Sequence, residues 1–139
     1  MTHQRIFNYA SQLRELGNTF ILSELKKAGL QDIVPRQGVI LAQLLHGESR
    51  NMSELAQQAH RTKSTVTTLV SKLERNGYVE RIPDPADSRG VKVRLTDKGL
   101  AMRPSVDAIA DGLQEIINAR LTPEEALQLE ELLAKCLKS

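Results

Sequence analysis

The chain has 139 residues, of which 40% are hydrophobic and 26% charged, as is usual for a globular protein with its own core. Its single cysteine excludes an internal disulfide framework, and no apolar run approaches the roughly 18 residues that a membrane span needs. The sequence therefore predicts a cytoplasmic protein with no membrane segment, no metal cluster and no cofactor.

The net charge of +2 is unevenly distributed along the chain. Residues 50–99 carry ten Lys or Arg against six Asp or Glu, a surplus of four, whereas residues 100–139 carry four against seven, a deficit of three. A basic centre favours a polyanionic partner, although a surplus of four is a modest signal.

The first part of the chain has the pattern of two amphipathic helices. Apolar residues recur at three- and four-residue steps through residues 6–25, which predicts one helix with an apolar stripe. Gly29 interrupts that pattern, and Pro35 suits the first turn of a second helix, where an N–H would be unpaired anyway. We expect Gly47 to close this second helix in a left-handed conformation.

The next segment predicts a short helix, a tight turn and a longer helix. Asn51 and Glu54 have the spacing of a capping box, so they mark the start of the short helix. Ala59–Arg61 form the expected turn, and Thr62 is a good N-cap for a fourth helix. The apolar side of that helix consists of Val66, Leu69, Val70 and Leu73, and Asn76-Gly77 ends it.

After Gly77 the apolar period changes from that of a helix to that of a strand. "VKVRL" alternates strictly, with Lys92 and Arg94 on the side opposite its apolar residues. "YVERI" is the expected partner strand, although its own alternation is ambiguous. Thr96 then caps a predicted helix over 97–119, and Thr122 caps a last helix over 123–138. The predicted order is four helices, a two-stranded hairpin and two helices.

A short capped helix, a turn and an amphipathic helix are the parts of a helix-turn-helix. With its apolar side in the core, the fourth helix would present small hydroxyl groups and cations to solvent. Such a helix start suits phosphates and allows close approach to base edges, although Ser and Thr also simply cap helices. The candidate DNA contacts here are Arg61, Lys63, Ser64, Thr65, Thr67, Thr68 and Lys72.

The hairpin adds a second candidate contact region. Arg89 lies near its tip, where it could enter a minor groove, and we expect the Asp87 carboxylate to hold its guanidinium. Lys92 on the returning strand completes the candidate set. The alternative for Asp87 and Arg89 is an ordinary surface pair worth about 0–1 kcal/mol.

These motifs together carry a family resemblance. "MSELAQQAHRTKSTVTTLVSKLERNGYVERIPDPADSRGVKVRLTDKG" resembles the winged helix-turn-helix of the MarR family of bacterial transcription regulators. Its most specific piece, "DSRGVKVRLTDKG", is similar to the family's Asp-x-Arg wing followed by Leu-Thr-x-x-Gly. Thr68 is a departure, because many members have Arg after the "TVT" of the recognition helix, and this makes the recognised DNA sequence less predictable.

The resemblance implies a mainly α fold, a winged helix-turn-helix in the order α-α-α-α-β-β-α-α, with dimerisation helices at both ends. Residues 1–30 would form the N-terminal dimerisation helix and 100–139 the C-terminal ones. The DNA-binding lobe would occupy 31–99, with its helix-turn-helix in 51–76 and its wing in 78–95.

The implied function is a sequence-specific double-stranded DNA-binding transcription regulator. As implied by the family, it would be a ligand-responsive repressor that acts as a homodimer on a pseudo-palindromic operator, with an effector that nothing in the sequence identifies. The alternative is a winged-helix protein–protein interaction module without DNA binding. An enzyme is not expected, because the chain has no nucleophile–base–orienter set, phosphate loop or metal-ligand spacing.

Overall fold

Helices dominate the chain, and a small sheet lies among them. The computed structural model describes residues 2–47 and 49–138, with side chains from residue 5 onward. The described residues form seven helices and three strands, namely α1 (Thr2–Lys27), α2 (Pro35–His46), β1 (Arg50–Asn51), α3 (Met52–Ala59), α4 (Lys63–Arg75), β2 (Val79–Asp84), β3 (Asp87–Leu95), α5 (Asp97–Leu100), α6 (Arg103–Asn118) and α7 (Pro123–Leu137). The predicted mainly helical fold with its helix-turn-helix and β hairpin is confirmed.

The sheet has one strand more than the sequence predicts. β2 and β3 form the predicted antiparallel hairpin, in which Val79 pairs with Leu95. β1 pairs with the other edge of β3, so the strand order is β1-β3-β2. Because β1 has two residues, it is too short to show an alternating pattern, and only its pairing with β3, Arg50 with Val93 and Asn51 with Lys92, reveals it.

Two local predictions about chain breaks are wrong. Gly47 follows α2 in an extended conformation, with φ −139° and ψ 171°, instead of the predicted left-handed one. The single helix predicted over 97–119 is divided into α5 and α6. Pro104 accounts for the division, since it lacks the N–H that a continuous helix would donate to the Leu100 carbonyl and its ring would clash with that carbonyl.

The core lies between the helix-turn-helix and the sheet. α2, α3 and α4 pack together, and α4 also packs against β2. Wholly buried aliphatic side chains come from all of these elements: Ile40, Leu41, Leu44, Leu55, Val66, Val70, Leu73, Val79 and Val93. Each stabilises the fold by about 1.5–3 kcal/mol relative to an exposed position. This core holds α4 by its apolar side and leaves the opposite side in solvent.

The helices near the two ends of the chain keep much of their apolar surface exposed. The chain divides into two compact units, one ending at Val106 and one beginning at Asp107. α6 and α7, which lie entirely within the described residues, contain no buried residue. On α1, Phe7 is 79% exposed, and on α7 Leu132 is 53% exposed. In the described part of the chain, no helix is both long enough and apolar enough to cross a membrane.

Candidate nucleic-acid interface

The turn between α3 and α4 is set by local hydrogen bonds. Asn51 Oδ1 accepts from the Glu54 N–H at 2.8 Å, and Glu54 Oε1 accepts from the Asn51 N–H at 3.0 Å, so the predicted capping box is confirmed. His60 caps the C-terminal end of α3 and has the left-handed values φ 53° and ψ 45°. His is one of the few side chains that adopt this conformation readily. The reversal at His60 directs the chain into α4.

α4 has one buried side and one solvent side, as its sequence pattern predicts. Thr62 caps it, with Oγ1 accepting from the Thr65 N–H at 3.1 Å. Val66 and Val70 are wholly buried. All seven candidate contacts around this helix are on the surface: Arg61, Lys63, Ser64, Thr68 and Lys72 are exposed, and Thr65 and Thr67 are half-buried. The start of α4 is therefore accessible to a partner molecule.

The hydroxyls of Thr67 and Thr68 bond within their own helix. Thr67 Oγ1 donates to the Lys63 carbonyl at 2.8 Å, and Thr68 Oγ1 donates to the Ser64 carbonyl at 3.2 Å. Ser and Thr commonly bond the carbonyl four residues back in this way. The hydroxyl hydrogens of both residues are thus committed to the helix backbone.

Two carboxylates shape the wing, which is the hairpin of β2 and β3. Asp84 Oδ1 accepts from the Ala86 N–H at 2.9 Å, and Asp87 Oδ1 accepts from the Arg89 N–H at 3.0 Å. A bulge lies between Pro83 and Asp84. The predicted bond from the Arg89 guanidinium to Asp87 is replaced by the bond from the backbone amide, because an Asp side chain reaches the N–H two residues on. The Asp87 carboxylate therefore holds the backbone of the turn and not the guanidinium of Arg89.

Some wing cations are paired, and others are not. Arg81 on β2 donates to Ser71 Oγ at 2.8 Å and pairs with Glu74 at 3.2 Å, which ties β2 to α4. Arg94 pairs with Glu80 on the neighbouring strand at 2.6 Å. By contrast, no ion pair within the described residues involves the candidate contacts Lys63, Lys72 or Arg89. The sequence did not reveal the Arg81 contacts, since they depend on how α4 packs against β2.

Tyr78 anchors the base of the wing. Its hydroxyl donates to Asp32 Oδ1 at 2.8 Å, and its ring lies 4.3 Å from Lys98 Nζ. Lys98 Nζ also donates to the Asn76 carbonyl at 2.7 Å. Burial, then the hydrogen bond to Asp32 and its negative charge, raise the pKa of Tyr78 to about 12. Tyr78 therefore stays a neutral donor at neutral pH.

The Leu-Thr-x-x-Gly part of the motif is structural. The Thr96 hydroxyl donates to the Gly77 carbonyl and accepts from the Gly99 N–H at 3.2 Å, so it joins the end of α4 to the start of α5. A Cβ on Gly99 would lie 2.2 Å from the Tyr78 carbonyl oxygen. Only glycine fits where α5 crosses the base of the wing.

Among the described residues, no group of three His, Cys, Asp or Glu side chains could hold a metal ion. A shallow groove of about 310 Å³ lies beside α1, with apolar walls and one cation; its lining is Leu22, Leu25, Lys26, Leu30, Gln31 and Ile33. This groove is open to solvent.

A capped short helix, a left-handed turn, a second helix with one solvent side and an adjoining β hairpin define a winged helix-turn-helix protein. The model of the MarR family matches residues 33–91. HTH-type transcriptional repressor MdtR of Bacillus subtilis is 30% identical over 115 residues, which cover 83% of this chain and 72% of MdtR. The chain belongs to the MarR family.

Other curated relatives match over a shorter region. HTH-type transcriptional regulator SarZ of Staphylococcus haemolyticus is 29% identical over 84 residues, 60% of this chain and 57% of SarZ. Multiple antibiotic resistance protein MarR of Escherichia coli is 37% identical over 73 residues, 52% of this chain and 51% of that protein. The chain thus spans about half the length of the first curated relatives that it matches.

Solved structures match nearly the whole chain. A MarR transcriptional regulator from Methanosarcina mazei is 27% identical with a TM-score of 0.79, covering 96% of this chain and 97% of its own. A variant of MarR from Escherichia coli, crystallised with operator DNA, is 25% identical with a TM-score of 0.80 and coverage of 96% and 94%. Sco3205 of Streptomyces coelicolor, in complex with DNA, is 26% identical with a TM-score of 0.79 and coverage of 96% and 84%.

Proposed function

We propose that this protein is a sequence-specific regulator of transcription that binds double-stranded DNA. The observation that carries the proposal is the accessible start of α4, which presents hydroxyl groups and cations beside a wing with an exposed arginine. Two solved structures with the same fold, the Escherichia coli MarR variant and Sco3205, contain DNA. The family consists of regulators by name, and we infer no enzymatic activity.

In this proposal the start of α4 and the wing bind neighbouring grooves of the DNA. α4 enters the major groove, where its N-terminal N–H groups and Lys63 and Lys72 bind phosphates while the small side chains approach base edges. The wing reaches the minor groove, where Arg89 favours the narrow, strongly negative grooves of A·T tracts. The contact between Arg81 and α4 keeps the two regions in a fixed arrangement.

We further infer that two copies act together on a pseudo-palindromic operator. Residues 1–30 and 100–139 would form the dimer, and 31–99 the DNA-binding lobe of each copy. Support comes from the apolar surface that the helices of these regions leave exposed, since exposed apolar patches commonly mark association surfaces. A two-fold dimer places its recognition helices in major grooves about 10 bp apart.

Repression and control by a small effector belong to the same proposal. MdtR is named a repressor, which favours repression here. The groove beside α1 combines apolar walls with Lys26, so it suits a small anionic or aromatic ligand. The protein would act in the cytoplasm, where it meets its operator, and would need no cofactor.

The test is titration of the full chain onto its own promoter DNA at 50 and 200 mM salt. If Arg61, Lys63 and Lys72 of two copies bind phosphates, six contacts form, and the affinity should fall about 10³-fold between these concentrations. A Lys63→Gln, Lys72→Gln double variant should show a shallower salt dependence. If no duplex binding occurs even at 50 mM salt, the proposal fails and the winged-helix protein–protein module replaces it.

A further inference from the structure

We propose that Thr68 selects thymine at one position of each operator half-site, through contact between its γ-methyl group and the thymine C5-methyl group. This inference rests on the proposed function, because it requires α4 to lie in a major groove. It assigns a specificity role to the position where many members of the family carry Arg instead.

The position of Thr68 on α4 makes such a contact available. Thr68 is exposed, whereas Val66 and Val70, two residues to either side, are wholly buried in the core. Residues four apart lie on the same side of a helix, so Thr68 shares its solvent side with Ser64 and Lys72, both exposed. A DNA major groove that binds the start of α4 therefore also contacts Thr68.

The hydrogen bonding of Thr68 determines which of its groups a base would meet. Its hydroxyl hydrogen is donated to the Ser64 carbonyl at 3.2 Å, so it is not available to an acceptor on a base. The side chain carries no charge and can neither bind a phosphate as an ion nor form the bidentate contact that Arg makes with guanine. What remains is the methyl group and the lone pairs of the oxygen.

Thymine is the base that matches the methyl group. In the major groove only thymine presents an apolar substituent, and contact between a Thr methyl and the thymine methyl is a known means of recognition. The rival is that the Thr68 oxygen accepts a hydrogen bond from the amino group of adenine or cytosine. The two readings predict opposite behaviour for valine and serine at this position, since valine keeps the methyl and serine keeps the hydroxyl.

The experiment uses the full chain and duplexes selected from a random-sequence pool for tight binding. Each thymine of the selected site is then replaced by uracil, which lacks only the C5-methyl group, at symmetric positions of both half-sites. At one such pair of positions we expect the affinity to fall about fourfold for each half-site, which is the factor for losing one buried methyl-sized group. The two half-sites together should therefore lower the affinity about fifteenfold. Thr68→Ser should lower the affinity for the thymine duplex by the same factor as uracil does for the wild type. The Thr68→Ser variant should then bind the thymine and uracil duplexes with the same affinity. Thr68→Val should bind as the wild type does and keep the sensitivity.

Thr62→Ser is the matched control. It makes the same chemical change at an exposed threonine that caps α4 and is not among the candidate contacts, and the serine keeps the hydroxyl that accepts from the Thr65 N–H, so it should leave the uracil effect intact. The proposal is overturned if uracil is tolerated at every position, if Thr68→Val rather than Thr68→Ser weakens binding, or if Thr62→Ser abolishes the effect. In all three cases duplex binding, and with it the proposed function, still stands. If no duplex binds at low salt, both fall together.

Discussion

At the scale of single residues, hydrogen bonds and ion pairs decide which charged groups are available to a partner. The carboxylates of Asp84 and Asp87 are occupied by backbone amides of the wing, so they shape the tip without holding the Arg89 side chain. Arg94, on the same strand as Arg89, is paired with Glu80. Two arginines five residues apart thus differ in what each can offer to DNA.

This difference predicts unequal effects of removing the two arginines. Arg89→Ala should weaken binding to the preferred duplex about tenfold and relax the preference for A·T pairs at the position of the wing, because a minor-groove contact is lost. Arg94→Ala, the matched control, removes one charge from the same strand and should have a smaller effect. Binding measured on duplexes with A·T or G·C pairs at that position checks both. Equal losses for the two variants would mean that the wing acts only through its net charge.

Tyr78 gives a prediction about pH. Its pKa is about 12 in the folded chain and about 10 in an unfolded one, so folding favours the neutral phenol. The stability that this provides is fully present below pH 10 and is lost as the pH rises from 10 to 12. Urea unfolding should therefore show the wild type about 1 kcal/mol more stable than Tyr78→Phe at pH 8, the worth of one hydrogen bond. That difference should shrink above pH 10 and reverse in sign towards pH 12, because Tyr78 ionises first in the unfolded chain. A difference that does not change with pH would contradict the assignment.

At the scale of helices and strands, local sequence determines where the helices begin. The Asn51–Glu54 capping box and the Thr62 and Thr122 caps all occur as the sequence predicts. These features involve neighbours three residues apart, so the sequence alone contains them. The wing hairpin could likewise be predicted, because apolar and charged residues alternate strictly in "VKVRL".

Features that depend on distant parts of the chain could not be predicted from the local sequence. β1 exists because Arg50 and Asn51 pair with the free edge of β3, and Gly47 is extended rather than left-handed. The link from Arg81 to Ser71 and Glu74 requires the packing of β2 on α4. The candidate contact residues themselves could be predicted as surface residues, but which cations are paired could not.

The close approach of α5 to the base of the wing predicts the effect of one glycine substitution. Gly99→Ala would place a methyl group 2.2 Å from the Tyr78 carbonyl oxygen, and the backbone shift needed should cost about 2–3 kcal/mol. Gly38→Ala is the control, because a Cβ on Gly38 of α2 meets nothing within 4 Å and should stabilise the helix by about 0.5–1 kcal/mol. Thermal unfolding of the two variants should therefore shift in opposite directions. A neutral Gly99→Ala would mean that α5 moves without cost.

At the scale of the whole molecule, the exposed apolar side chains on its terminal helices require an explanation. Ile6, Phe7 and Tyr9 on α1 are each more than half exposed. On α7 the side chains of Leu127, Leu132 and Leu137 are also more than half exposed. Side chains of this kind normally lie in a core or an interface, and their number on two helices favours association of two copies.

Association predicts a clear response to a charge on α7. Leu132→Glu should weaken the dimer about 100-fold, because each of two copies loses a leucine that association would bury, worth about 1.5 kcal/mol. Val91→Glu, at an exposed apolar residue of the wing, should leave association unchanged. Sedimentation equilibrium measures both, with the wild type expected at twice the chain mass of 15.5 kDa. A wild type that sediments at 15.5 kDa at micromolar concentration would exclude the dimer.

The placement of the tyrosines has a practical consequence for spectroscopy. The chain has no tryptophan and two tyrosines, so Tyr9 and Tyr78 dominate its ultraviolet emission over the two weakly emitting phenylalanines. Tyr9 is 66% exposed on α1, and Tyr78 is 2% exposed beside Asp32 and Lys98. Replacing either one by phenylalanine leaves a chain with a single tyrosine. One such chain senses events at the N-terminal helix and the other senses the integrity of the wing base, and neither requires an added dye.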